Sequence, residues 1–268
     1  MTGRRRRPGD LRTAATGSGR RAALTRAALA LAVLLAACRG GSDAAAPLTG
    51  ADPATGPTAP STGGDQASGG RFLAAGAVVA RVGVYTRPGD PAPALTLSHP
   101  NPEGAPLTFA VLDARDGWLQ VRLPVRPNGS TGWIRATDVA LTRHSFRIEV
   151  RLAERVLTVF DGDDVFQAEP IGVGARPTPT PGGEYYLYEL VRPADPNGPY
   201  GPYAFGLSGF SDVLDGFNGG DGRLGLHGTD DPASLGTDST NGCIRLANPA
   251  IDQLARTVPL GTPITIVA

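Results

Sequence analysis

The 268-residue, 27.5 kDa chain is 41% hydrophobic and 19% charged, which supplies a packed core and excludes wholesale disorder. Its 37 glycines and 25 prolines suit a turn-rich β protein with a loose linker rather than a helical bundle. The net charge of zero hides a split, because residues 1–37 hold eight arginines and one acid, leaving 17 arginines against 24 acids elsewhere. That acidic body argues against nucleic acid as a partner, since phosphate neutralisation needs a basic face.

Arg4 to Arg26 form a positively charged lead into Ala27–Ala37, an unbroken apolar run of 11 residues. The run is too short to span a bilayer, which takes ~20 residues, and fits a signal h-region of ~7–15. It ends Leu35-Ala36-Ala37-Cys38, which resembles the lipobox of bacterial lipoproteins. The resemblance implies a signal peptide over 1–37, a lipidated Cys38, and a membrane-anchored, extracytoplasmic protein facing the cell wall. An ordinary signal peptide with an incidental cysteine is the alternative. Arg20-Arg21 leaves Sec and twin-arginine export both open. Residues 39–70 are mostly Gly, Ala, Pro, Ser and Thr with no aromatic, so 38–70 is expected to be a lipidated cysteine followed by a disordered tether.

From about Leu73 the pattern becomes β. Val78–Tyr85, Leu107–Leu112, Trp118–Leu123 and Gly132–Arg135 read as short strands between Pro, Gly and Asp turns. The stretch Leu123-Pro124-Val125-Arg126-Pro127-Asn128-Gly129-Ser130-Thr131-Gly132-Trp133-Ile134 resembles the bacterial SH3-like modules of cell-wall proteins. An SH3-like barrel is therefore expected over 71–143, as a spacer or as a glycan- or peptide-binding unit. His99 and His144 stand in polar contexts and read as surface residues. A second β-rich unit, 144–268, opens with strands at Ile148–Leu152 and Val156–Phe160. Asp161-Gly162-Asp163-Asp164 reads as a hairpin turn, lacking the ligand spacing of a calcium loop. One helix is signalled by Asn248 as N-cap, Pro249, and Ile251, Leu254, Ala255 and Val258 on one face. Pro263–Val267 closes as a strand. The fold class is thus mainly β: a small barrel, then a β-sandwich unit with one or two short helices.

The chain has two cysteines, 38 and 243. If Cys38 carries lipid, Cys243 has no disulfide partner, and a lone extracytoplasmic thiol is either a buried small hydrophobe or a nucleophile. A strand delivers His227, a turn-rich loop reverses the chain, and a second extended piece begins at Cys243, so imidazole and thiol can meet. Gly228 follows His227 and offers a carbonyl to orient the ring. Gly242 allows a tight turn in which the Gly242 and Cys243 amides face an oxyanion. Arg245, two residues on, puts a guanidinium on the same strand face for a substrate carboxylate. Asn241, Ser239, Tyr203 and Phe210 are further groove candidates. Three scattered histidines and no CxxC or HExxH motif give no basis for a metal, and no cofactor is expected.

His227-Gly228-Thr229, Pro232, Ser234-Leu235-Gly236 and Gly242-Cys243-Ile244-Arg245 resemble the motif of the YkuD-type L,D-transpeptidases. Upstream, Val173-Gly174 and Thr178-Pro179-Thr180-Pro181-Gly182 resemble that family's Gly and TPxG turn. The likeness covers roughly 146–268. It implies Cys243 as nucleophile, His227 as general base and Gly228 as the carbonyl that orients it. It further implies peptidoglycan stem peptides as substrate, with D-Ala released and an amine of a second stem acylated. One departure stands out, because Asn241 replaces the histidine that usually precedes Gly-Cys. Water as acceptor would make an L,D-carboxypeptidase, and a silent wall-binding lipoprotein is the non-enzymatic alternative. NlpC/P60 hydrolases place Cys before His, and sortases space the pair far more widely. Oligomeric state is not legible.

Overall fold

The computed structural model describes residues 72–216 and 220–268. The expected leader, Cys38 and tether lie outside the described residues. The first lobe contains β1 (Phe72–Ala77), β2 (Arg81–Val84), β3 (Leu95–Ser98), β4 (Thr108–Arg115), β5 (Trp118–Arg122), β6 (Thr131–Arg135) and β7 (Val139–His144). Five of these form a sheet in the order β6-β5-β4-β1-β7, and β2 pairs with β3 in a separate ribbon. β5, within the stretch Trp118–Leu123 read as a strand, alternates: Leu119 and Val121 are buried while their neighbours are half-buried. The strand expected over Val78–Tyr85 is instead broken at Val78–Ala80, between β1 and β2.

The second lobe contains β8 (Phe146–Arg151), β9 (Val156–Asp161), β10 (Asp164–Pro170), β11 (Val173–Gly174), β12 (Gly183–Val191), β13 (Ala204–Phe210), β14 (Arg223–His227), β15 (Asp238–Thr240), β16 (Ile244–Arg245), α1 (Asn248–Thr257) and β17 (Pro263–Val267). Its eight-stranded sheet runs β10-β9-β8-β17-β12-β13-β14-β16, and β11 pairs with β15 alongside. The fold is mainly β, as the composition suggested. Asp161 faces Asp164 across the β9–β10 hairpin, with Gly162 at φ +62° in the turn.

Most pairings are antiparallel, but β17 runs parallel to β8 and β16 parallel to β14. The second of these corrects the chain reversal expected between His227 and Cys243. The intervening loop goes out and comes back, so both strands enter the sheet in the same direction.

The helix buries Ala250, Ile251 and Leu254 against the main core. Its N-cap is Ala247 rather than Asn248, with no side-chain cap. The Asn248 side chain is engaged elsewhere, as described below.

The two lobes share apolar surface. Tyr186 and Tyr188, on β12 of the large sheet, belong to the core cluster of the small one, with Phe109, Leu107 and Ile134. His99 and His144 are half-buried rather than surface residues. His99 Nδ1 accepts the Leu107 amide at 3.1 Å. His144 stacks near Phe72 at 5.9 Å, and desolvation lowers its pKa.

Candidate active site

β14 explains how His227 reaches the site. Leu224 and Leu226 point into the core, so the alternate residues Gly225 and His227 share the other face. β16 lies beside it in parallel register, Leu226 with Ile244 and His227 with Arg245. Cys243, one residue before β16, therefore sits beside Gly225. A methyl group at Gly225 would lie 3.3 Å from Cys243 Sγ and 3.5 Å from His227 Cδ2. Thiol and ring thus crowd the same point, and glycine leaves it open.

His227 Nδ1 and the Gly228 carbonyl are 2.6 Å apart. Because a carbonyl only accepts, Nδ1 carries the hydrogen and donates it, leaving the Nε2 lone pair free. The His227 pKa is lowered to about 4, chiefly by burial and in smaller part by the Arg245 charge, against the raising effect of the Gly228 contact. The ring is therefore neutral near pH 7. Burial raises the Cys243 thiol above its ordinary value, while a backbone hydrogen bond from Gly225 and the Arg245 charge pull it down. The resting pair is thiol and imidazole, not thiolate and imidazolium. With the thiol pushed up and the imidazole pushed down, both by burial, the neutral pair is favoured over the ion pair.

The carbonyl that orients the ring is held by close packing. A Cβ on Gly228 would approach Asn248 Oδ1 to 2.3 Å and Gly201 Cα to 3.0 Å. Asn248 Oδ1 accepts the Thr229 amide at 2.9 Å, which ties the start of α1 to the residue after Gly228. Gly228→Ala is accordingly expected to cost about 1–3 kcal/mol of stability from overpacking and to shift the His227 ring that its carbonyl holds. Urea titration and the His227 ring chemical shifts check the two effects.

Around Cys243 the loop is fixed by hydroxyls. Thr180 Oγ1 receives the Gly174 amide at 2.8 Å and donates to the Gly242 carbonyl at 2.9 Å. Thr240 Oγ1 donates to the Cys243 carbonyl at 2.6 Å and accepts the Gly242 amide at 3.1 Å. Gly242 needs its φ of +115°, as expected of a tight turn. Its amide, however, is occupied by Thr240 and does not face an oxyanion. The Cys243 amide has no acceptor among the described residues.

Two clefts meet at this pair. The larger, about 510 Å³, is mostly apolar and includes Val191, Phe205, Leu224 and Gly225 besides His227 and Cys243. The smaller, about 160 Å³, is lined by Pro199, Tyr200, Thr240, Asn241 and Arg245 with the same pair. Arg245 brings a guanidinium there, and its buried Nε has no partner among the described residues. Asn241 is exposed at the rim, with Oδ1 3.4 Å from Thr178 Oγ1.

Two candidates lie elsewhere. Tyr203 is a core residue, and Ser239 turns its hydroxyl to the Ser234 carbonyl at 3.3 Å; neither lines these clefts. Phe210, the last residue of β13, is likewise buried and lines neither cleft. Tyr200, missed in the sequence, borders both clefts and sets its ring edge-on to His227 at 4.9 Å. The tandem Gly198-Pro199-Tyr200-Gly201-Pro202-Tyr203 contained it, but nothing local separates its two tyrosines. Among the described residues, no group of three or more His, Cys, Asp or Glu is placed to hold a metal.

Residues 145–266 match the family model of the L,D-transpeptidase catalytic domain, YkuD. The YkuD protein of Bacillus subtilis is 36% identical over 122 residues, covering 45% of this chain and 65% of that relative, just under two thirds of its length. An L,D-transpeptidase structure from Enterococcus faecium aligns at 21% identity and TM-score 0.37, covering 46% of this chain and 50% of that one. One from Mycobacterium tuberculosis aligns at 14% identity and TM-score 0.41, covering 61% and 91%.

Proposed function

Taking residues 145–266 as a YkuD-type L,D-transpeptidase catalytic domain, we propose that the protein is a peptidoglycan L,D-transpeptidase with Cys243 as nucleophile. The observation that carries this is the 2.6 Å contact of His227 Nδ1 with the Gly228 carbonyl, which leaves Nε2 as a base in the cleft that Cys243 lines. Cys243 Sγ attacks the L-centre carbonyl ahead of the terminal D-Ala while its proton passes to His227 Nε2. The Cys243 amide receives the oxyanion. Nε2 then returns the proton to the departing D-Ala amine, leaving a thioester. A neutral acceptor amine gives its proton to His227, attacks the thioester, and the thiol is restored.

Two clefts favour transfer over hydrolysis. The donor stem takes the larger one. D-Ala leaves through the smaller one, and the acceptor enters where the leaving amine departed. D-Ala and the D-centre of a diaminopimelate side chain share an α-amine and α-carboxylate of the same hand, so Arg245 serves both in turn. Arg245→Ala is expected to reduce transfer to free D-amino acids by about 10²-fold, since a bidentate charged contact contributes ~1.5–3 kcal/mol. D-amino acid amides should be poor acceptors even for the wild type. Steady-state exchange kinetics measure both.

Intact-protein mass spectrometry with a disaccharide-tetrapeptide tests the main reading. A Cys243 adduct that has lost D-Ala supports it; an unmodified chain leaves the wall-binding alternative. In the same reading, 1–37 is a signal peptide and Cys38 the lipid anchor. Residues 38–70 form the tether, 71–143 an SH3-like module and 144–268 the catalytic domain. The protein then works outside the cytoplasm against the wall.

A further inference from the structure

The loop following β13 leads from Phe210 back to β14, and its far end, Gly220–Leu224, lines the larger cleft. The other lobe grips this loop. Asn128, between β5 and β6, donates through Nδ2 to the Phe210 carbonyl at 2.8 Å and accepts the Phe210 amide on Oδ1 at 2.8 Å. Phe210 in turn faces Arg223 in the β13–β14 ladder, so the Asn128 amide acts as one more rung on that sheet. Arg126 forks onto three carbonyls: Ser211 at 2.9 Å, Leu214 at 3.0 Å and Asp221 at 3.2 Å. These acceptors come from both ends of the loop, so one guanidinium draws its two arms together. The same guanidinium lies 4.7 Å from the Phe210 ring, and a Cβ on Gly222 would come within 3.0 Å of it. A second tie reaches the cleft wall where Asn101 donates to the buried Glu189 carboxylate at 2.7 Å.

We propose that Arg126 and Asn128 are positioning residues for the acyl-donor cleft: the first lobe is part of the catalytic apparatus, not a spacer. A spacer needs no polar side chains satisfying the backbone of its neighbour. Here five hydrogen bonds fix the entry to β14, the strand that carries Gly225 and His227. Arg126 and Asn128 touch neither Cys243 nor His227 and act only through the cleft wall. The kinetic part of this rests on the transpeptidase reading; the structural part does not.

The test compares full-length wild type with Arg126→Ala/Asn128→Ala and with Arg126→Lys. In the double variant, amide exchange over 210–216 and 220–223 is expected to accelerate about tenfold or more. The kcat/KM for thioester formation with a disaccharide-tetrapeptide should fall about tenfold, mainly through KM. Alkylation of Cys243 by iodoacetamide should change by less than about twofold, because that small reagent needs no cleft wall. Arg126→Lys keeps the charge but cannot fork, so it should not rescue either effect. Unchanged exchange, unchanged kcat/KM, or a matching loss of alkylation overturns the inference. If the double variant does not fold, Asn128→Asp, which loses only the Nδ2 donors, is read by the same measurements. A wild type that forms no thioester sinks the transpeptidase reading, and exchange alone then decides the clamp.

Discussion

Cys243→Ala is expected to abolish acylation by tetrapeptide stems, a loss of about 10⁴-fold or more, because no other group can accept the acyl chain. Cys243 is the free cysteine of the described residues, and the Thr240 and Thr180 hydroxyls on either side are committed to backbone. The change removes one sulfur from a half-buried position, so stability should fall by no more than ~1 kcal/mol. Mass spectrometry should show no adduct on a chain whose urea midpoint is nearly that of wild type. An adduct persisting in the alanine variant would move the nucleophile elsewhere.

His227→Gln should lower thioester formation by about 10²–10⁴-fold, the span general-base catalysis supplies. It should also reshape the dependence on pH. With a pKa of about 4, the wild-type base is deprotonated at pH 5 and above, so donor acylation should lose its acid limb only near pH 4. Stability should move as well. The unfolded histidine binds a proton below about 6.5, whereas the folded one resists until about 4. Between those values the unfolded state holds more protons, so stability falls with falling pH, by up to ~3 kcal/mol. His144 is shifted in the same direction but is present in both proteins. Urea titrations at pH 4.5 and 7 should show a smaller acid loss in His227→Gln. Equal losses would mean the ring is not desolvated.

Much of the site was legible because it lies in one contiguous stretch, where His227, Cys243 and Arg245 keep their spacing whatever the loop does. The helix and the β9–β10 hairpin were legible for the same reason, being local. What failed was non-local. The direction of β16 relative to β14 is set by the Gly172 amide and carbonyl, which bond both sides of Arg245 from 73 residues away. The strand β12 was missed because Tyr185–Glu189 is buried on both faces and shows no alternation. Thr240, not Ser239, carries the loop because only one of the two hydroxyls turns inward, and sequence cannot say which. Asn248 looked like a helix cap, since capping and bridging use the same side-chain oxygen.

The place of β17 has a consequence for the order of assembly. Among the described strands it alone joins β10-β9-β8 to β12-β13-β14-β16, yet it follows all of them in the chain. Until Pro263–Val267 emerges, a growing polypeptide holds two half-sheets with an open seam. Cys243 and His227 precede that strand in the chain, so the sheet that carries them closes only when Pro263–Val267 pairs with β8 and β12.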